Sequence, residues 1–174
     1  MTAAVRQEAG SLPRVLVAGI GNVFLGDDGF GVEVVDALRR RALPESIEVA
    51  DYGIRGFDLA SSLLETDVAI LVDAVPRAGK SPGDVFVLEL ALQEPEAPDG
   101  PVNGHGLNPI EVFRLARQFG GPLPKTYLVG CCPAPIDETQ EGAVGLSPAV
   151  QAAVPPACDL VCRLISGLVP TKEA

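Results

Sequence analysis

The chain has 174 residues, enough for one domain with a substantial buried core. Its 23 acidic and 13 basic residues give a net charge of −10, which argues against a nucleic-acid or anionic-membrane surface, where basic side chains supply most of the affinity. The opening MTAAVRQEAGSLP lacks the apolar core of a signal peptide, and runs such as Val68 to Val72 are far too short to span a bilayer, so a cytoplasmic protein without a membrane partner is expected.

Residues 1–13 read as a flexible tail, 14–169 as a single α/β domain and 170–174 as a C-terminal tail. Within the domain, short β-branched runs alternate with longer amphipathic ones. Arg14 to Gly19 is the first predicted strand. A helix beginning near Gly29 places Val32, Val35 and Leu38 on one face and gives way near Leu43-Pro44. Ile47 to Tyr52 reads as the second strand, and Phe57, Leu59, Leu63 and Leu64 mark a short helix after Gly56. Val68 to Val75 is almost wholly apolar and reads as a central strand buried on both faces, followed by an edge strand, Val85 to Leu90. Pro, Glu and Gly dominate Ala91 to Gly106, a long loop of the kind that carries function or disorder. A helix from Pro109 to about Phe119 and a strand from Thr126 to Cys131 follow, and Ser147-Pro148 supplies an N-cap and first-turn pair for a terminal helix ending near Leu168. Five strands and their connections imply a three-layer fold: a twisted, mostly parallel sheet with helices on both faces.

Val15 to Gly31, VLVAGIGNVFLGDDGFG, carries the most chemistry: a strand, a glycine-rich turn, then Asp27 and Asp28 where a helix begins. A helix N-terminus suits an anion, so two acids there repel phosphate and prepare a site for a cation or for proton transfer. Either acid could instead cap the helix; capping explains one of them and leaves the other for function. The dinucleotide fingerprint fails on spacing, because its third glycine would fall on Phe24, and no Lys-Ser or Lys-Thr completes a phosphate loop. No tightly bound organic cofactor is therefore expected.

Ligands of such sheets gather beyond the carboxyl ends of the strands, and three residues could converge there. Asp28 follows the first strand. Asp73 interrupts VAILVDAV, where a buried carboxylate needs a partner; a cation site and a brace for a neighbouring loop are both open readings. His105, the only histidine, rules out any site built on two imidazoles; it makes either an ordinary hydrogen bond or, flanked by Gly104 and Gly106, a ligand contact. Two carboxylates and one imidazole suit a borderline divalent ion such as zinc or nickel, with positions left for groups that a substrate brings. Glu33 and Asp36 read as solvated. Cys131, Cys132, Cys158 and Cys162 match neither zinc spacing nor a disulfide framework and read as reduced thiols, with metal contact the second reading for the vicinal pair. A Cys131–His105 nucleophile pair lacks any local signature.

The segments GIGNVFLGDDGFGVEVVDAL, VDAV, NGHGLNP and GLSPAV resemble, in that order, elements of the maturation endopeptidases of nickel-iron hydrogenases. The resemblance runs from Arg14 to the terminal helix; the first segment is specific, the others gain weight together. Position by position, the family's metal-contacting residues fall on Asp28, Asp73 and His105, with Asp28 standing where some members have Glu. The resemblance implies a twisted α/β sheet flanked by helices and one cut near the C-terminus of a nickel-loaded hydrogenase large-subunit precursor, after the basic residue following its last metal-ligand cysteine motif. It also implies that the nickel arrives with the substrate, so that an unloaded precursor gives the carboxylates no cation to meet. Asp28, Asp73 and His105 are accordingly the expected catalytic and metal-contacting residues of a monomer. A non-catalytic nickel-handling or scaffold protein that binds the loaded precursor is the alternative.

Overall fold

The computed structural model describes residues 12–90, 109–135 and 144–168. Strands β1 (Val15–Ile20), β2 (Ile47–Gly53), β3 (Val68–Ala74), β4 (Val85–Leu90) and β5 (Lys125–Cys131) form one sheet in the order β2-β1-β3-β5-β4. All neighbours are parallel except β4, which runs antiparallel to β5 at the edge. Helices α1 (Phe30–Leu38), α2 (Gly56–Leu63), α3 (Pro109–Gln118) and α4 (Pro148–Leu168) complete three layers.

Strand alternation sorts the core into two halves. Val15, Val17, Ile70 and Val72 face α1 and α4, whereas Leu16, Ala18, Ile20, Ala69 and Leu71 face α2 and α3. β1 and β3 are buried on both faces, which is why they read as unbroken apolar runs. Truncating a fully buried leucine such as Leu16 or Leu71 to alanine costs about 2–5 kcal/mol in such a core.

The predicted helices and strands recur within a residue or two of their expected bounds, except that α1 ends at Leu38 rather than near Leu43-Pro44, as the Arg40 and Arg41 amides turn to the carbonyls three residues back. Phe57 departs from expectation: it is 58% exposed, while Leu59, Ala60 and Leu63 carry the burial of α2. The first turn of α2 follows the carboxyl end of β2, beyond the sheet surface that could have covered Phe57. α4 contains Pro155 and Pro156, both on its exposed side, so the carbonyls that lose an amide partner face water. Among the described residues no helix is long and apolar enough to cross a membrane.

Candidate active site at the carboxyl edge of the sheet

The turn after β1 is shaped by glycine. Gly21 has φ +126°, and a Cβ there would overlap the carbonyl oxygen of Asp28. Its amide donates to Gly53 O at 3.1 Å, so the loops leaving β1 and β2 start side by side. Beyond it, Gly26–Gly29 form a single 3₁₀ turn that runs into α1. Gly31, in the first turn of α1, leaves no room for a side chain against the carbonyls of Ile20 and Val72. Gly19 is likewise closed by the carbonyl of Gly31. Main chain thus lies on main chain, and the 3₁₀ turn is seated directly over the ends of β1 and β3.

The two adjacent acids of this turn do different things. Asp28 is half-buried, and its Oδ2 accepts a hydrogen bond from the Asn22 amide at 2.7 Å. Asp27 does not cap its own helix, contrary to the capping expectation. No side-chain cap hydrogen bond is made at the start of the 3₁₀ turn or of α1. The Asp27 carboxylate instead accepts hydrogen bonds from Ser147 N at 2.6 Å, Ser147 Oγ at 2.9 Å and Ala134 N at 2.8 Å. Ser147 keeps the N-cap position of α4, with its carbonyl accepting from Gln151 N, but its hydroxyl serves Asp27 rather than the helix.

Asp73, next to last in β3 and paired across the ladder with Gly130, is 6% exposed. Burial, and then the charge of Asp28, push its pKa up from 3.8 to about 7, opposed only in part by a hydrogen bond from the Ala74 amide. Asp28 and Asp73 are therefore electrostatic neighbours, as their places after two adjacent parallel strands imply. Ion pairs join Arg14 to Asp67, Arg39 to Asp36, Arg41 to Asp159 and Lys125 to Glu89, and none of these reaches Asp27, Asp28 or Asp73. Two carboxylates that no cationic side chain pairs with among the described residues, one of them half-protonated near neutrality, can accept a divalent cation with release of a proton or exchange a proton with a reacting water. His105, the third expected member, lies outside the described residues.

The cysteines behave as structural groups. Cys131 is buried in the core against α1 and α4, and desolvation pushes its thiol up to about 11, so it offers no thiolate at neutral pH. Cys132 Sγ lies 3.8 Å from the carbonyls of Lys80 and Pro133. All four thiols are free. Glu33 is exposed as expected, and Asp36 pairs with Arg39 at 3.1 Å on the surface.

Two features lay outside the sequence reading. The first is the reach of Asp27 to Ser147 and Ala134, partners 120 and 107 residues away, which no local pattern signals. The second is an apolar rim. Phe24, Leu25, Ile54 and Phe57 are 68%, 62%, 61% and 58% exposed; the first three stand on the paired loops that leave β1 and β2, and Phe57 on the first turn of α2 directly after them. Such a concentration marks a surface that meets another apolar surface.

The hydrogenase maturation protease family model matches residues 32–164. The chain is 34% identical over 153 residues to the hydrogenase 2 maturation protease of Escherichia coli, covering 85% of this chain and 88% of that protein. It is 30% identical over 158 residues to the hydrogenase expression/formation protein HupD of Bradyrhizobium diazoefficiens, covering 88% and 78%. Among solved structures, the hydrogenase maturating endopeptidase HybD of E. coli superposes with a TM-score of 0.68 at 27% identity, over 92% of this chain and 99% of that one. The hydrogenase 2 maturation peptidase of a Thaumarchaeota archaeon gives 0.65 at 31% identity, over 89% and 99%. Sequence match and superposed fold together establish that this chain belongs to the hydrogenase maturation protease family, whose members hydrolyse a peptide bond.

Proposed function

We propose that this protein removes the C-terminal extension of a nickel-iron hydrogenase large-subunit precursor once nickel has been inserted, using the bound nickel as its recognition element. The observation that carries the reading is the pair Asp28 and Asp73: two carboxylates at the carboxyl edge of the sheet, no cationic side chain paired with either among the described residues, and Asp73 raised to about 7. The protein works as a cytoplasmic monomer without an organic cofactor of its own, and the nickel belongs to the substrate. The apolar rim beside Asp28 favours a polypeptide substrate over a free ion.

Asp28 and Asp73, with His105, engage the precursor's nickel and so place the scissile bond. An attacking water bonds to the carbonyl carbon while a carboxylate oxygen takes one of its protons. That proton passes to the amide nitrogen as the C–N bond breaks, leaving a new C-terminal carboxylate and a free amine. An unloaded precursor has no cation to offset the two carboxylates, which explains selectivity for the loaded form.

Intact-mass analysis of a cognate precursor tests the proposal. Loss of a C-terminal peptide from the nickel-loaded form, with the wild-type protein and not with Asp28→Asn, is the expected result. A stable complex with the loaded precursor and no change of mass would identify a non-catalytic nickel-handling scaffold instead.

A further inference from the structure

Asp27 gathers three parts of the chain on one half-buried carboxylate. Ala134 follows β5, Ser147 opens α4, and Asp27 itself sits in the 3₁₀ turn between β1 and α1. The other side of that turn is held by Gly31, wedged against the carbonyls of Ile20 and Val72. Asp27 and Asp28 are consecutive residues of one tight turn, so the Asp28 peptide cannot rotate without pulling the Asp27 carboxylate off its donors. Hydrogen bonds to a charged acceptor are the strong ones, and partly buried donors are costly to leave unpaired.

We propose that Asp27 is a positioning residue for the reaction: by holding Ala134 and Ser147 it fixes the turn that aims Asp28 at Asp73, without touching the substrate itself. Its catalytic consequence rests on the protease reading above; its geometric consequence does not.

Asp27→Asn preserves size but puts an amide group, itself a donor, where one of the accepting oxygens stood, so at least one of the three donors loses its partner. Ser147→Ala removes only the hydroxyl bond and leaves both amides in place. Two measurements on the full chain decide the matter. One follows the Asn22 amide, which donates to Asp28 Oδ2 at 2.7 Å, by its proton NMR shift and hydrogen-exchange rate with neither metal nor precursor present. The other separates kcat from KM on nickel-loaded precursor.

If Asp27 positions Asp28, Asp27→Asn breaks the bond from the Asn22 amide to Asp28 Oδ2, so that amide shifts upfield and exchanges faster. The same variant loses kcat on the order of 100-fold, the usual effect of a displacement of about an ångström, with KM little changed. Ser147→Ala shifts both readouts the same way by a smaller factor. Variants that melt earlier but keep the Asn22 amide signal and kcat of the wild type would overturn the proposal and leave Asp27 a stitch of the fold. Should Asp27→Asn not fold, Ser147→Ala decides on the same two readouts. If the wild-type protein cleaves no precursor, the protease reading fails, and the Asn22 amide alone still decides whether Asp27 holds Asp28 in place.

Discussion

The two edges of the sheet handle their acids in opposite ways. At the amino edge two acids meet a base. Asp67, before β3, accepts the Arg14 amide at 2.8 Å and pairs with its guanidinium at 3.9 Å, and Glu89 meets Lys125 at 3.3 Å. These side chains are about half exposed or more, and such pairs contribute little to stability. At the carboxyl edge Asp27 and Asp28 accept only from amides and a hydroxyl, while Asp73 is buried beside a like charge. A fold selected for stability alone would neutralise that second edge. Under the proposed function that uncompensated charge is where binding and chemistry occur, and the ion pairs of the amino edge provide the internal control.

The largest effect in breaking this contrast is expected from Asp73→Asn, which keeps the shape and removes the titrating oxygen. Precursor cleavage should fall by roughly 10²–10⁴-fold, the range for loss of an acid–base group, read by intact mass over time. Undiminished cleavage would remove Asp73 from the site. Gly31→Ala should follow: a methyl group pressed on the carbonyls of Ile20 and Val72 must displace α1, costing about 3 kcal/mol or preventing folding, as urea denaturation would register. A melting curve like that of the wild type would mean that the helix is not seated as described.

Next comes the pH dependence of stability. Asp73 holds its proton more tightly in the folded chain, at about 7, than in the unfolded chain, at its ordinary 3.8. Its contribution is therefore fully present below about pH 4 and is lost as pH rises through 7, a decline of a few kcal/mol. Asp73→Asn, which cannot ionise, should gain on the wild type between pH 5 and pH 8 in parallel urea melts. A constant difference between the two proteins would show that Asp73 is solvated. Smallest of all, Arg14→Ala at the amino edge should change stability by less than about 1 kcal/mol and leave cleavage unaltered.

Much of the contrast is legible in the residues. VAILVDAV announces a strand buried on both faces, and an acid within it announces a problem that the fold must solve. The rule that ligands gather beyond the carboxyl ends of parallel strands then brings Asp28 and Asp73 together, as the adjacent β1 and β3 do. The division of labour between Asp27 and Asp28 was not legible, since it depends on donors more than a hundred residues away. The direction of β4 was equally hidden, because a six-residue strand of mostly half-buried positions pairs as well one way as the other. The exposure of Phe57 escaped periodicity, which places a residue on a helix face but not relative to the end of the sheet.

The backbone-on-backbone contact of the first turn of α1 at Gly31 has a further consequence for how the protein tolerates sequence drift. Cores repack around substitutions mainly by rotating and shifting side chains. Where Gly31 rests on the carbonyls of Ile20 and Val72, there are no side chains to rotate. Gradual change among the surrounding valines and leucines can alter stability while the spacing between the turn and β3 stays as the backbones set it. The apolar interior is free to diverge, and the distance on which the two carboxylates depend is inherited through two glycines.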